Sequence, residues 1–295
     1  MLRNIFPFIF IFTFNLAFSQ NYVEYYSLCN TADSLSYIGK ENEALDKYKA
    51  AFKTVKFVHS IKSKKAYELA IKTNAFDDAF DFGKISITSS GKRKLIKTNS
   101  RKFKKSNYYK MLNDSSAAFI LNYNERINHD YIKIIDSLAY IDQRIIRNNR
   151  FYKGNYHVDK TKLPVNLFDL DSSNWNLLYT CIQEMGFPSE ENVGSTSYRE
   201  VWLLLHHNLR LKENTKYHEE IFEFIRKGEY LPEDMMVWYE QYNLQVNNST
   251  FFTTWDENIS DENLARIDYN RRKFYLKGIN SYTLKKNGRS MIPKW

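Results

Sequence analysis

The chain has 295 residues, with 43 lysines and arginines against 34 aspartates and glutamates, and a formal net charge of +9. A chain of this length can bury an ordinary apolar core, and its two cysteines are too few for a disulfide-dependent secreted scaffold. We expect Cys29 and Cys181 to be small core residues, with a single bridge between them left open.

The first 19 residues have the pattern of an export signal. Arg3 precedes a 14-residue apolar run at 5–18, and Ala17-Phe18-Ser19 places small residues at the −3 and −1 positions before Gln20. The run is shorter than the roughly 20 residues of a membrane span, although an uncleaved anchor is the alternative. The sequence therefore predicts a signal peptide at 1–19, a periplasmic or secreted mature protein, and no transmembrane span after cleavage.

Two stretches near the start of the mature chain echo each other. Ala32 and Ala66 lie 34 residues apart, and Ala44 and Ala79 lie 35 residues apart. A repeat of this period is typical of stacked helical hairpins, in which small residues let two helices approach closely. We therefore expect two helix–turn–helix units, and an unrelated helical bundle is the alternative.

The turns of these units are marked by residues that accept a left-handed backbone. Gly39 supplies the turn of the first unit, and Asn74 supplies that of the second. The run Gly39-Lys40-Glu41-Asn42-Glu43-Ala44-Leu45, followed by Tyr48 and Ala51, resembles the tetratricopeptide repeat over residues 28–88. Thr73 stands where that family usually has glycine. The resemblance implies a scaffold that displays surface to partners.

The positive charge of the chain lies in one segment, residues 84–110, which contains ten lysines and arginines and no acidic residue. Phe103, Tyr108 and Tyr109 are expected to be available for stacking beside these charges. The residues that we nominate as a binding surface are Lys92, Arg93, Lys94, Lys97, Arg101, Lys102, Lys104 and Lys105.

The partner of such a surface follows from the predicted location. Outside the cytoplasm we expect no nucleic acid, and the candidate partners are a protein of the cell envelope, an anionic envelope polymer or lipid head groups. The alternative is a solvated connector between two parts of the chain, because a run of like charges repels itself.

The sequence of the second half, from about residue 116, predicts further helices. Apolar residues at helical spacing run from Ile127 to Ile145, and residues 243–256 are assigned to a short strand or a loop. The other predicted helices are 174–185 capped by Asp171-Ser172-Ser173, one opened by the capping box Ser197–Glu200, one from Thr215 to Gly228, one from Pro232 to about Tyr242, and one from Ser260 to near Gly278. The predicted fold class is mainly α, with helical-hairpin repeats packed or linked to a helical domain.

The predicted organisation is a signal peptide at 1–19, repeats at 20–115 with a basic connector at 84–110, a helical domain at 116–281, and a tail at 282–295. The second half resembles an uncharacterised bacterial secreted domain family of unknown function. The resemblance rests on Asp142-Gln143-Arg144, Asp171 with Asn174, Gly186-Phe187-Pro188 leading to Val193-Gly194, His206-His207, and Asn270-Arg271-Arg272 before Gly278. It implies an architecture and no activity.

One group of residues is a candidate catalytic site. It contains His206, His207, Asp142, Asp171 and Arg144, and a histidine beside a carboxylate is the usual general-base arrangement. A histidine on an apolar helix is more often a hydrogen-bonded core residue, and no nucleophile elbow or glycine-rich phosphate loop is present.

A metal on His206, His207 and His218, with Glu219 or Glu220, is a further alternative, but their spacing matches no known metal site. We expect no cofactor. The sequence favours an interaction or scaffold module over a hydrolase-like enzyme.

Overall fold

The computed structural model describes residues 20–152, 167–253 and 260–278; the predicted signal peptide and tail lie outside them. Within these ranges every regular element is helical, which confirms the mainly α fold class. The α-helices are α1 (Tyr22–Tyr37), α2 (Glu41–Lys53), α3 (Ser60–Lys72), α4 (Phe76–Ser90), α5 (Arg101–Lys104), α6 (Asn107–Asp114), α7 (Ser116–Arg126), α8 (His129–Tyr152), α9 (Leu167–Met185), α10 (Glu190–Leu209), α11 (His218–Arg226), α12 (Pro232–Asn247) and α13 (Asp261–Lys273).

The first four helices form two hairpins, α1 with α2 and α3 with α4. Both predicted turns are present, because Gly39 has φ 82° and Asn74 has φ 60°. The repeated alanines are fully buried, which allows each helix pair to pack closely. The hairpins agree with the predicted repeat units, while membership of the tetratricopeptide family stays a prediction.

The basic segment is folded onto these hairpins. After α4 ends at Gly91, with φ 67°, the chain forms a 3-10 turn, Arg93–Ile96, and then α5 and α6. Ile96 is buried, and its carbonyl accepts a hydrogen bond from the Tyr67 hydroxyl at 2.7 Å. The backbone that carries the lysines is therefore held in place by α3.

Two helix starts in the second half differ from the prediction. α9 begins at Leu167, so Asp171 lies inside the helix and does not cap it. α10 begins at Glu190 and is capped by Ser189, whose hydroxyl accepts from the Asn192 N–H at 3.3 Å. Gly194 has a non-helical backbone and divides α10, so a helical segment begins just after it, close to the predicted start at Ser197.

Other boundaries agree with the prediction. Pro232 opens α12, and the Ser260 hydroxyl caps α13 by accepting from the Asn263 N–H. Gly228 follows α11 with φ 78°. Residues 243–247 belong to α12, so the strand or loop expected from residue 243 is wrong for that stretch.

Both parts of the chain contribute to one contiguous cluster of buried side chains that extends from Tyr22 to Leu276. Tyr26 of α1 donates to the Tyr230 carbonyl at 3.3 Å, and Asn30 donates to the Tyr275 carbonyl at 2.7 Å. The hairpins are thus packed against the C-terminal helices, while the division near residue 115 stays a prediction.

Cys29 and Cys181 are both buried and unbridged. Among the described helices, none is long and apolar enough to cross a bilayer.

Candidate functional site

The packing of α8 against α10 brings two of the candidate catalytic residues together. His207 Nδ1 lies 3.0 Å from Asp142 Oδ1, and the carboxylate is 1 % exposed. The second carboxylate oxygen accepts from Gln143 Nε2 at 2.8 Å. In the tautomer with the proton on Nδ1, His207 donates this hydrogen bond to Asp142 and has Nε2 as its basic nitrogen.

His206 has a different environment. Its ring stacks on Trp202, with centroids 5.4 Å apart, and its Nδ1 is buried with no hydrogen-bond partner in the structure described. Burial lowers the pKa of His206 to about 4, and the neighbouring His207 and Arg210 add to this shift. His206 is therefore neutral at physiological pH and contributes a flat apolar surface.

The side chains of the other two candidates are not described. Arg144 and Asp171 lie on α8 and α9, and their side chains fall outside the part of the chain that is described.

A pair of acidic residues, not singled out from the sequence, lies earlier along the same two helices. Ser197 Oγ donates to Asp136 Oδ1 at 3.0 Å, and Glu200 hydrogen-bonds to Asp136. Burial, together with this hydrogen bond and the charge of Asp136, raises the pKa of Glu200 to about 7. Glu200 therefore keeps its proton to a higher pH than an ordinary glutamate does. The same Ser197 and Glu200 form the capping-box pattern in the sequence, which gives no sign of this contact.

The residues of the alternative metal site are not grouped around one point. His218 is buried against Trp238, and its Nε2 donates to the Leu209 carbonyl at 2.8 Å. Among the described residues, no three histidine, cysteine, aspartate or glutamate side chains are grouped so that they could hold a metal ion.

The basic surface, which we define as the cations of residues 84–110, is solvent-exposed except at the half-buried Lys92. Among the described residues, no carboxylate lies within ion-pairing distance of any of these cations. Two contact aromatic rings instead, with Lys84 over Phe119 and Lys102 over Phe76 at 5.8 and 5.7 Å. Within the described ranges, the positive charge of this surface is therefore not balanced by direct ion pairs.

One of the aromatic residues predicted to stack beside these charges does not do so. Phe103 is fully buried, and it packs against Tyr67, Phe76 and Tyr109 at centroid distances of 5.2 to 5.9 Å. The prediction is wrong for Phe103 because α5 is amphipathic and turns this ring toward the core. Tyr108 is 40 % exposed and remains accessible.

The basic surface contains a cavity of about 320 Å³. Its lining residues are Arg93, Lys94, Ile96, Lys97, Tyr109 and Asn113. The cavity is open to solvent, and three of the eight nominated binding residues line it.

Sequence inspection misses a buried network between the hairpins and the C-terminal helices. His59 Nδ1 lies 3.1 Å from Glu190 Oε2, and Lys62 Nζ lies 2.5 Å from Glu233 Oε1. These partners are more than a hundred residues apart in sequence, and no periodic pattern connects them.

No protein-family model, no curated protein and no solved structure matches the chain. The resemblances to the tetratricopeptide repeat and to the bacterial secreted domain family therefore rest on the sequence patterns alone.

Proposed function

We propose that this chain is an exported interaction module of the cell envelope that binds an anionic partner through its basic surface. The observation that supports the proposal is the set of ten clustered cations, none of which has a carboxylate partner among the described residues. Cations held close together repel one another, and a bound anion relieves that repulsion. Anion binding is therefore the interaction that this surface favours.

The backbone beneath the charges supports the same proposal. Ser100 Oγ accepts from the Phe103 N–H at 3.2 Å and Ser106 Oγ accepts from the Tyr109 N–H at 3.2 Å, so α5 and α6 are each capped. Together with the Tyr67 bond to Ile96, these caps fix the backbone that carries the cations. A surface that is already ordered loses less conformational entropy on binding than a flexible connector does.

The test is a binding titration of the mature chain, residues 20–295, with labelled polyglutamate and labelled polyphosphate. The triple variant Lys102→Glu, Lys104→Glu and Lys105→Glu should weaken binding, and added salt should weaken it further, because exposed charges are screened. The matched control reverses the charge of three exposed lysines elsewhere in the chain, by changing Lys47, Lys53 and Lys56 to glutamate. Equal loss in both variants would indicate a response to net charge alone and would contradict a specific surface.

A second candidate function is a hydrolase-like enzyme, and the observation that favours it is the hydrogen bond between His207 and the buried Asp142. The test measures hydrolysis of a p-nitrophenyl ester by the mature chain and by His207→Ala and Asp142→Asn. Loss of a wild-type rate in both variants, with a pH profile that follows one ionisation, would favour the enzyme. A rate that the variants leave unchanged would exclude this site.

A further inference from the structure

The cavity in the basic surface is constructed from two elements with different roles. The 3-10 turn supplies Arg93 and Lys94, Lys97 follows directly at its end, and α6 supplies Tyr109 and Asn113. Lys94 and Lys97 both line the cavity. The Lys97 N–H donates to the Lys94 carbonyl, which closes the turn between them.

The arginine of this group is oriented before any ligand binds. Arg93 Nη2 donates to Asn113 Oδ1 at 3.0 Å, and this bond connects the turn to α6 across the cavity. The guanidinium has four further N–H donors, and its planar fork suits an oxyanion. The Asn113 amide in turn donates to the Tyr109 carbonyl at 3.1 Å, which fixes the acceptor that holds Arg93.

The local positive charge is high. Burial, followed by the charge of Lys94, lowers the pKa of Lys92 at the start of the turn. No carboxylate among the described residues pairs with Arg93, Lys94 or Lys97. A ligand with two negative charges on one small group would match three cations better than a single carboxylate would.

We propose that Arg93, Lys94 and Lys97 form a binding site for a phosphate ester, with Tyr109 and Asn113 beside the group that carries the phosphate. This proposal deepens the proposed function, on which it rests, by naming phosphate as the chemistry of the anionic partner. The cavity volume of about 320 Å³ accommodates a phosphate with a small polar group attached. The cations outside the cavity, such as Lys104 and Lys105, then attract the rest of the partner electrostatically without a specific contact.

The experiment uses the mature chain and compares glycerol 3-phosphate with malonate, a dicarboxylate of similar charge, by calorimetric titration. The cavity variant is Arg93→Gln with Lys94→Gln and Lys97→Gln, and the matched control is Arg101→Gln with Lys104→Gln and Lys105→Gln. All six side chains are exposed, so both variants should fold, and circular dichroism checks this. We expect saturable binding of glycerol 3-phosphate that the cavity variant weakens by about tenfold or more, and the control by less.

Two further arms identify the source of the phosphate. Inorganic phosphate tests the bare group, and vesicles of phosphatidylglycerol test a lipid head group. Binding in any of the phosphate arms that depends on the cavity variant supports the proposal and shows which source is preferred.

Malonate binding as tight as glycerol 3-phosphate binding would overturn the proposal, and so would equal losses in the two variants. If polyglutamate binds through the basic surface while no phosphate compound binds, the inference fails and the proposed function stands. If neither polyglutamate nor any phosphate compound binds, both fail.

Discussion

His206 and His207 are neighbours on α10, and the structure gives them different surroundings. His207 is 14 % exposed and is paired with Asp142, whereas His206 lies on Trp202 with an unpaired nitrogen. Successive side chains on a helix point about 100° apart, so one histidine meets α8 and the other packs beside it. Of the two, only His207 has the carboxylate partner that a general base needs. Both side chains are packed against their neighbours, as structural residues are.

We predict that His207→Ala lowers the free energy of unfolding by about 1–3 kcal/mol, because the buried Asp142 carboxylate loses a hydrogen-bond donor. Urea denaturation of the two proteins at neutral pH gives the difference. The double variant His207→Ala with Asp142→Ala is the control, since removing both partners should recover part of the loss. A His207→Ala protein that melts at or above the wild-type temperature would favour the enzyme, because functional sites often hold strain that substitution relaxes.

Asp234 gives a prediction about pH. Its carboxylate accepts a hydrogen bond from the Tyr198 hydroxyl at 2.9 Å. Burial raises the pKa of Asp234 to about 7; the hydrogen bond from Tyr198 lowers this pKa, and the charge of Glu233 raises it further. The folded chain therefore keeps a proton that the unfolded chain releases near pH 4. The stability that this proton provides is complete below about pH 4 and is lost as the pH rises to about 7.

Asp234→Asn should remove this decline, so that the variant gains stability relative to the wild type as the pH rises from 4 to 7. Denaturation midpoints at several pH values measure the difference. The exposed Asp114→Asn is the matched control and should leave the profile unchanged. A difference between Asp234→Asn and the wild type that is the same at pH 4 and pH 7 would contradict the assignment.

At the scale of the elements, α10 is divided by one glycine. Gly194 has φ 72° and ψ 164°, a backbone conformation that only glycine adopts readily, and a Cβ there would overlap the Tyr123 hydroxyl. Gly91, just after the end of α4, lies against the Cδ1–Cε1 side of the same ring. Tyr123 of α7 thus fills the space between two glycines, and this arrangement joins α4, α7 and α10.

We predict that Gly194→Ala destabilises the fold more than Gly186→Ala. Both glycines have positive φ, so both substitutions carry a backbone cost of about 1–3 kcal/mol, but a Cβ at Gly186 meets nothing within 4 Å. Thermal melts of the two variants measure the difference. If the two losses are equal, the Tyr123 contact adds nothing and the backbone conformation alone accounts for the effect.

The sequence predicts those elements whose signals are local. Gly39, Asn74, Gly228, Pro232 and Ser260 each mark a turn or a helix start through their own backbone or side-chain chemistry, and the structure has them where expected. The sequence reading misses the start of α10 at Glu190, capped by Ser189, whereas the Ser197–Glu200 pattern lies close to the point where helical backbone resumes after Gly194. The Ser197 hydroxyl donates to Asp136 of α8, a contact that the capping-box pattern does not indicate.

The candidate site is predictable in its residue types and not in its contacts. Asp142 and His207 belong to one predicted group, and tertiary packing decides that they meet. The inward orientation of Phe103 depends on rings from other helices. The contact of Glu200 with Asp136 likewise depends on the packing of α8 against α10, which no local pattern specifies.

At the scale of the whole molecule, the buried ammonium of Lys62 lies between partly buried carboxylates where the hairpins meet the C-terminal helices. Burial disfavours the charged forms, yet attraction between them holds the pKa of Glu233 below its usual value and that of Lys62 above it. Asp33 lies 3.9 Å from the same ammonium. Removing one partner of such a pair would leave an uncompensated buried charge, so this contact links the stability of the two parts.

The two cysteines test how strongly the parts are linked. Cys29 lies in α1 and Cys181 in α9, both are buried, and burial raises the pKa of each thiol. Each thiol should therefore react with a labelling reagent only when its surroundings unfold. Because one core and the buried ion pairs connect the parts, we predict that both cysteines become labelled at the same urea concentration.

Mass spectrometry of the cysteine-containing peptides after a labelling pulse gives the two midpoints separately. Glu233→Ala, which leaves Lys62 without its closest carboxylate, should lower both midpoints together, by an amount that corresponds to about 3–5 kcal/mol. The exposed Glu125→Ala is the control and should shift neither. Two separate midpoints in the wild type would show that residues 20–115 and 116–281 unfold as independent domains. A Glu233→Ala shift of the Cys29 midpoint alone would show that the hairpins depend on the C-terminal helices without stabilising them in return.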